Sequence, residues 1–271
     1  MALRRVTVAA VLDRLGIEAP ARDLDGLRAV YAAWCGAVPF DNTLKLIHLA
    51  EGRTWPLPGS SAERFFDSWL EHGTGGTCWS GNGALHDLLE ALGFDVARAI
   101  ATMLSSPGAV GPNHGSVIVT LEGERWIADA SILSGTPIRI PSPGQEAEDG
   151  ALPRFAWLED QPAVVWCAPR APDGFPCRID RIGAEPAEWD ALHQRTVDWG
   201  PFNHQLNARV LRDEITLAVA LGQRFTFGPN GALSASELDR DGRVRFLVEE
   251  VGVSEVVARR VPDDRPSRRR G

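Results

Sequence analysis

The spacing of apolar residues changes near position 93, and this change limits the folds open to the 271-residue chain. Over about residues 6–93, apolar side chains such as Leu24, Leu27 and Val30 recur every three or four positions, which is typical of helices. Over about residues 94–169, short apolar runs predict strands instead. The clearest of these runs lie at 97–103, 116–121, 125–128 and 163–166.

The rest of the chain mixes both patterns. A helical stretch at 188–197 precedes strand-like runs at 215–220 and 224–227, a turn at 229–231 and a helix at 242–251. A proline-rich polar segment, 141–153, is expected to be a loop. We therefore expect an α+β fold with three domains. The helical N-terminal domain spans 1–93, the strand-rich domain 94–187, and a linker helix with a small α/β unit 188–271.

Charge and hydropathy exclude several function classes. The formal net charge of −8 argues against a nucleic-acid binder, and Arg268 to Arg270 are expected to form a solvated tail. No run of 18 uncharged apolar residues predicts a membrane span, and the N-terminal residues do not resemble a signal peptide. We therefore expect a cytoplasmic protein. Lys45 is the only lysine beside many arginines, a usage typical of GC-rich bacterial genomes.

The cysteines and histidines give no sign of a metal or a disulfide framework. Cys35, Cys78, Cys167 and Cys177 are scattered without a C-x-x-C pair, so free thiols in a reducing compartment are expected. The six histidines show no i, i+4 pair, and no phosphate-binding loop or dinucleotide motif is present. The sequence thus indicates neither a metal nor a permanently bound cofactor.

A glycine-dense stretch, 73–82, surrounds Cys78 and leads into a helical pattern that ends at Gly93. Cys78 is therefore predicted at or just before a helix N-terminus, where free N–H groups and the helix dipole favour a thiolate. Glycines let the backbone approach a substrate carbonyl, and nearby N–H groups can form an oxyanion hole. Taken alone, Cys78 fits a small buried apolar residue at a helix start better than it fits a nucleophile.

A predicted hairpin supplies partners for this thiol. If Leu121 pairs with Glu124 across the turn, His114 lies one diagonal step from Asp129 on the same face, within side-chain reach. Asp129 can then hold one imidazole nitrogen while the other faces Cys78, as a thiol nucleophile requires. Taken singly, His114 could be a solvated strand-end histidine and Asp129 a turn residue.

With these pieces in place, the sequence resembles the arylamine N-acetyltransferases. Residues 38–42, Val-Pro-Phe-Asp-Asn, are close to that family's V-P-F-E-N. Residues 75–78, Gly-Gly-Thr-Cys, together with Asn82, match part of R-G-G-x-C-x-E-x-N, and His114 precedes Asp129 by 15 residues. The likeness runs from about residue 12 to residue 261.

The resemblance implies a helical first domain, a central β-barrel and a C-terminal α/β lid, around a core like that of cysteine proteases and transglutaminases. It implies Cys78, His114 and Asp129 as a catalytic triad. It also implies acetyl-CoA or another acyl-CoA as co-substrate, a small-molecule aromatic amine as acceptor, and an acyl-cysteine intermediate. Phe40, Trp79 and Phe202 are candidate substrate-binding aromatics, although each could also be a packing residue.

Several positions depart from the family pattern. Thr74 replaces the arginine before the glycine pair, and Ser80 replaces the glutamate after the cysteine. Residues 130–133 read Ala-Ser-Ile-Leu where the family has V-G-F-G, at a strand end expected to line the acyl site. These differences leave open an amide synthase with a bulkier or carrier-bound acyl donor, in which case an acyl carrier protein is a partner. A thioester hydrolase, a transglutaminase-like enzyme and an inactive ligand-binding relative also remain open.

The other candidates are expected to be structural. We expect Asp41 and Asn42 to support the fold, and His72 and His86 to lie on the surface. Cys35, on an apolar helical face, and Cys167, in a strand, are expected in the core.

Overall fold

The computed structural model describes residues 3–105, 109–142, 145, 152–168, 171–198, 200–228 and 233–265. Most of the predicted polar loop at 141–153, the whole predicted turn at 229–231 and the tail at 268–270 lie outside these ranges.

The N-terminal part is helical, as predicted. Asp23 caps the second helix by accepting a hydrogen bond from the N–H of Gly26 at 2.8 Å, and Ser61 does the same for the fourth helix. The apolar stripes pack into one core built around the buried rings of Trp34 and Phe66. The elements are α1 (Arg5–Leu15), α2 (Leu24–Ala37), β1 (Phe40–Asp41), α3 (Thr43–Ala50), α4 (Ala62–His72) and α5 (Cys78–Ala91).

The central part is an antiparallel sheet that curls into a nearly closed barrel. Its strands are β2 (Asp95–Met103), β3 (His114–Leu121), β4 (Glu124–Ala128), β5 (Ile138–Ile140), β6 (Arg154–Leu158), β7 (Gln161–Ala168) and β8 (Ala171–Ile182). The strand order is β5-β4-β3-β2-β8-β7-β6. Strand β8 has no counterpart in the sequence prediction, because Pro172, Gly174 and Pro176 disfavour a strand there.

The C-terminal part contains a second antiparallel sheet. Its elements are α6 (Pro186–Arg195), a 3₁₀ turn (Pro201–Asn203), β9 (Ala208–Arg212), β10 (Ile215–Ala220), β11 (Gln223–Phe227), β12 (Leu233–Glu237), α7 (Arg240–Arg245) and α8 (Glu255–Ala258). The helix predicted at 242–251 begins as α7 and continues as a π-helical segment, Phe246–Val251. Together with Leu206 and Leu217, the π-helical segment forms the core of this part.

The short strand β1 connects the N-terminal part of the chain with the C-terminal sheet. It pairs with β9, Phe40 opposite Arg209 and Asp41 opposite Ala208, so the C-terminal sheet has the order β1-β9-β10-β11-β12. The residues before position 93 therefore supply an edge of the C-terminal sheet. We retain the domain boundaries at 93 and 187 as a proposal. Strand β1 is the exception, because it belongs to the first domain in sequence and to the C-terminal sheet in structure.

None of the helices within the described ranges combines the length and the apolar content that a bilayer crossing requires.

Two tryptophans pack where α5, β3 and α6 meet. Trp79 and Trp189 meet edge to face at 4.9 Å between ring centroids, and the indole N–H of Trp189 donates to the carbonyl of Trp79 at 3.1 Å. A Cβ atom on Gly115 would lie 2.4 Å from the Trp189 ring and 2.8 Å from the Trp79 ring. Gly115 follows His114 directly, so this packing fixes the strand that positions the histidine.

We expect Gly115→Ala to lower the free energy of unfolding by about 1–3 kcal/mol, because the added methyl overpacks this junction. Gly36→Ala in α2 is the matched control, since a Cβ there meets nothing within 4 Å and the site is helical. The control should be neutral or should stabilise by up to about 1 kcal/mol. Urea denaturation measures both, and equal stability of the two variants would contradict the packing argument.

Candidate active site

Cys78 is the first residue of α5, as predicted, and its side chain is nearly buried. The preceding loop must pass very close to other backbone: a Cβ on Gly75 would lie 1.7 Å from the carbonyl oxygen of Pro39. Gly76 forms a parallel bridge with Phe40, and its carbonyl accepts a hydrogen bond from the N–H of Asp41 at 3.2 Å. The absence of a side chain at Gly75 thus lets the loop that presents the thiol lie directly against β1 and the residue before it.

Asp41 fastens this loop from a buried position. One carboxylate oxygen accepts from the N–H of Gly75 at 2.6 Å. The other accepts from the backbone and hydroxyl of Thr43 at 2.9 and 2.5 Å. Burial raises the pKa of Asp41, while these three hydrogen bonds act in the opposite direction. Asn42 donates to the carbonyls of Phe202 and Gln205 at 2.9 and 2.8 Å. Both residues therefore make the structural contacts expected of them.

The predicted hairpin register is confirmed: Leu121 pairs with Glu124. Both turn residues have positive φ, 51° at Glu122 and 83° at Gly123, as a tight two-residue hairpin turn requires. This register brings the side chains of His114 and Asp129 together. His114 Nε2 lies 2.7 Å from Asp129 Oδ2, and both residues are 2% exposed.

The remaining imidazole nitrogen, Nδ1, is the one available to Cys78. Burial lowers the pKa of His114, but the Asp129 carboxylate and the hydrogen bonds to Asp129 and Cys78 outweigh it and raise the pKa. Burial raises the pKa of Asp129, yet the facing imidazole and its hydrogen bonds bring it below its usual value. His114 and Asp129 therefore form a direct pair, and Cys78 lies close enough to His114 to raise its pKa. The sulfur of Cys78 also contacts the carbonyl oxygen of Asn113, the residue before His114, at 3.9 Å.

Asn82 is a site residue that the sequence interpretation noted in a motif but gave no role. It lies one turn after Cys78 on α5 and is fully buried. Its amide nitrogen donates to the carbonyl of Gly115 at 2.6 Å and to Asp129 Oδ1 at 3.3 Å. Its amide oxygen accepts from the N–H of Ala130 at 2.8 Å. Asn82 thus links the helix of the thiol to β3 and to the residues directly after β4, and its i, i+4 spacing from Cys78 was the signal in the sequence.

Tyr31 was missed altogether. Its hydroxyl donates to the carbonyl of Asp129 at 2.8 Å and accepts from the N–H of Asp129 at 3.1 Å. This contact joins residues 98 positions apart in the chain, and Tyr31 otherwise looks like one more apolar residue of α2. No local pattern could have identified it.

The predicted substrate-binding aromatics separate into two groups. Phe40 and Phe202 are half-buried and meet edge to face, with ring centroids 5.3 Å apart. Trp79 is 1% exposed and packs in the core against Trp189, so it has no open face for a ligand. Burial of its large ring at the α5–β3 junction is the physical reason for this difference.

The positions that depart from the family motif are satisfied locally. Thr74 is fully buried and donates to the carbonyl of Ser68 at 3.3 Å. Ser80 donates to the carbonyl of Thr77 at 3.1 Å. Residues 130–133 are all buried, with Ile132 in the barrel core, so this segment is interior. Neither replacement leaves an unpaired charge beside Cys78.

Three further residues differ from their expected positions. His86 is 4% exposed rather than on the surface, because its helix face packs inward and its Nδ1 lies 2.9 Å from Asp87. Cys167 is half-buried, because it lies at the edge of the apolar cluster that Ala218 and Phe225 of the C-terminal sheet help to form, and not inside it. His72 is also half-buried, with Ser254 at 3.2 Å, while Cys35 lies in the core as expected.

A small cavity lies beside the nucleophile loop, and Lys45, His193, Gly76 and Thr77 are among the residues that line it. Lys45 Nζ donates to the carbonyl and hydroxyl of Thr196 at 3.1 and 2.9 Å, and no carboxylate of the described residues pairs with it. Burial lowers the pKa of Lys45 to about 8, with the charge of Cys78 acting the other way. Burial and the Lys45 cation lower the pKa of His193 to about 3.

Comparison with known proteins is consistent with this geometry. A family model described as N-acetyltransferase matches residues 23–166, just over half of the chain. The arylamine N-acetyltransferase of Escherichia coli (strain K12) is 33% identical over 129 residues, 46% of this chain and 43% of that protein. The chain belongs to the arylamine N-acetyltransferase family.

Other members of the family extend the comparison. The arylamine N-acetyltransferase of Mycolicibacterium smegmatis is 36% identical over 88 residues, 32% of this chain and 30% of that protein. The chain therefore spans less than half the length of these two curated relatives. The solved structure of the Mycobacterium marinum enzyme has a TM-score of 0.77 at 20% identity and covers 94% of this chain and 98% of that one. The Salmonella typhimurium enzyme has a TM-score of 0.75 at 19% identity, with 93% and 92% covered. These structures share the fold.

We expect Lys45→Met to stabilise the protein at pH 7. A lysine whose folded-state pKa is about 8 instead of 10.5 costs up to about 3 kcal/mol. Loss of the lysine leaves no unpaired group on Thr196, because its carbonyl still accepts from Asn203 and its hydroxyl still donates to the carbonyl of His193. Since the folded-state pKa lies below the unfolded value, the cost is fully present below about pH 8 and disappears above about pH 10.5.

Thermal unfolding at pH 7 and pH 10 measures this effect. The gain of Lys45→Met over the wild type should shrink by more than half at the higher pH. Arg53→Met, which removes an exposed cation after the same helix, is the matched control and should give no gain. A gain that is independent of pH would contradict the assignment of a buried, unpaired charge.

Proposed function

We propose that the protein is an acyltransferase that moves an acyl group, acetyl in the first place, from a coenzyme A thioester to an aromatic amine. The observation that carries this proposal is the 2.7 Å contact between His114 and Asp129 behind a thiol at a helix N-terminus. Membership of the arylamine N-acetyltransferase family supports the same chemistry. The proposal covers the triad roles of Cys78, His114 and Asp129.

The first half-reaction loads the enzyme. His114 takes the proton of Cys78, and the thiolate attacks the thioester carbonyl, forming a new carbon–sulfur bond. N–H groups at the start of α5 stabilise the oxyanion of the tetrahedral intermediate. The intermediate collapses by breaking its bond to the coenzyme A sulfur, and His114 returns the proton to that leaving thiol. The product is acyl-Cys78.

The second half-reaction transfers the acyl group. The amine nitrogen attacks the acyl-Cys78 carbonyl while His114 accepts a proton from nitrogen. The bond to Cys78 breaks, the proton returns to its sulfur, and the amide leaves. Asp129 stays ionised throughout, orienting the imidazole and stabilising its cation, which is the direction in which Asp129 already shifts the pKa of His114.

Phe40 and Phe202 form the aromatic wall that we assign to the amine. β1 places Phe40 next to Gly76, two residues before the nucleophile, and Asn42 anchors the backbone of Phe202. A relative from Mycobacterium marinum has been solved in complex with CoA, which supports coenzyme A as the carrier of the acyl group. Four unpaired cysteines favour a reducing compartment, and we propose the cytoplasm. No observation favours the hydrolase, transglutaminase-like, carrier-bound or inactive alternatives.

Incubation with acetyl-CoA should increase the mass of the purified protein by one acetyl group, located on the peptide that contains Cys78. Addition of a neutral arylamine such as 4-anisidine should discharge it with formation of the anilide. Intact-mass spectrometry and peptide mapping measure both steps, since the acyl-cysteine is covalent.

Two variants control this experiment. Cys78→Ala should form neither the adduct nor the anilide, whereas Cys167→Ser, at a half-buried thiol outside the site, should behave as the wild type. Undiminished transfer by Cys78→Ala would overturn the mechanism.

A further inference from the structure

Asn113 lies directly before the strand that carries the proposed base. Strand β3 begins at His114, which pairs with Ala101 of β2. Continuing this register by two residues places Pro112 opposite Met103, and proline has no N–H to donate to a neighbouring strand. The main-chain pairing of β2 and β3 therefore lacks a donor just before His114.

The side chain of Asn113 supplies the contacts that Pro112 does not make. Its Oδ1 accepts from the N–H of Met103 at 2.8 Å, and its Nδ2 donates to the carbonyl of Met103 at 3.4 Å. The same Nδ2 donates to the carbonyl of Val110 at 3.2 Å, which ties the preceding loop to the strand end. The N–H of Asn113 donates to the carbonyl of Ala101 at 3.2 Å. Asn113 thus extends the pairing of β2 and β3 through a side chain.

The carbonyl of Asn113 faces the nucleophile. Cys78 Sγ lies 3.9 Å from this oxygen, and a thiol is a weak hydrogen-bond donor. The next residue along the chain is His114, whose Nε2 lies 2.7 Å from Asp129. One residue therefore contacts the thiol through its main chain and holds the start of β3 through its side chain.

The helix of the thiol is fastened to β3 one residue beyond His114. Asn82, one turn after Cys78 on α5, donates to the carbonyl of Gly115 at 2.6 Å, and the two tryptophan rings enclose Gly115. Loss of the Asn113 side chain would leave Gly115 held and release the strand before it. His114 would then be the first residue able to shift relative to Cys78. A displacement of about 1 Å between reacting groups can cost about a hundredfold in rate.

We propose that Asn113 is a positioning residue, whose side chain sets the distance between the Cys78 thiol and the His114 imidazole. This inference rests on the proposed acyl transfer for its effect on turnover, but the geometry can also be measured without a substrate. Alanine at this position keeps the carbonyl beside Cys78 and removes only the contacts to Met103 and Val110. The side chain can therefore be tested separately from the main chain.

Asn113→Ala should slow the formation of acetyl-Cys78 about ten- to a hundredfold at saturating acetyl-CoA. The acetyl-CoA concentration that gives half the maximal rate should stay within about threefold, because the change removes positioning and not substrate binding. Rapid-quench intact-mass spectrometry of a single turnover measures both quantities. Alkylation of Cys78 by iodoacetamide at pH 7 should slow about three- to tenfold, because the displaced imidazole no longer accepts the thiol proton efficiently.

Asn207→Ala is the matched control. Asn207 also lies directly before a strand, β9, and its Nδ2 donates to a main-chain carbonyl, that of Gln205, at 3.0 Å. This variant should lower the melting temperature by an amount similar to Asn113→Ala. Acetylation and alkylation of Cys78 should nevertheless stay within about twofold of the wild type.

Hydrogen exchange in the wild-type protein tests the contact without any variant. The N–H of Met103 donates to Asn113, so it should be protected from exchange in the wild type and lose this protection in Asn113→Ala. NMR spectroscopy of the amide signals measures this protection.

Three results would overturn the inference. One is wild-type loading and alkylation in folded Asn113→Ala, and another is rapid exchange of the Met103 N–H in the wild type. The third is an equal loss of reactivity in Asn113→Ala and Asn207→Ala, since this would indicate general destabilisation. Absence of acetyl loading in the wild type would instead refute the proposed function, while alkylation and exchange would still decide the role of Asn113.

Discussion

The buried contact between His114 and Asp129 requires the surrounding structure to supply hydrogen bonds to both residues. Two groups that can both be charged are 2% exposed, and such a pair is tolerated only when its remaining hydrogen-bonding capacity is met. Asp129 Oδ1 accepts from the N–H groups of Ser131 and Ile132 at 2.8 and 3.1 Å. Asn82 adds a third donor from the nucleophile helix. The helical part and the barrel are thus joined through one carboxylate.

Charge near the nucleophile is arranged differently here from the family motif. The motif has an arginine and a glutamate at the positions of Thr74 and Ser80, and this chain has neutral residues that bond to nearby carbonyls. Besides His114, Lys45 of α3 lies close enough to Cys78 for their charges to interact, and its ammonium group is held by Thr196 at the end of α6. The electrostatic surroundings of the thiol therefore depend on the fit of α3 against the segment after α6.

The sequence predicted those parts of the site that short-range rules control. The start of α5 at Cys78 follows from glycines before an apolar stripe, and the hairpin register follows from a two-residue turn. Contacts made across the fold were beyond such rules. Tyr31 meets Asp129 from 98 positions away, and Arg209 meets Phe40 through a pairing of strands at opposite ends of the chain. Strand β8 was missed because its prolines disfavour a strand in the local sequence. Pairing with β2 and β7 in the folded protein overrides this local preference.

The two-residue strand β1 also bears on the order in which contacts can form during synthesis of the chain. It is made early in synthesis, but its partner β9 follows more than 160 residues later, so this contact closes one of the longest loops in the molecule. The thiol, the imidazole and the carboxylate can come together once the hairpin of β3 and β4 has formed. The contact between the rings of Phe40 and Phe202 forms only when the segment before the C-terminal sheet docks. A nascent chain can therefore bring its reactive groups together before it forms the aromatic surface that we assign to the amine.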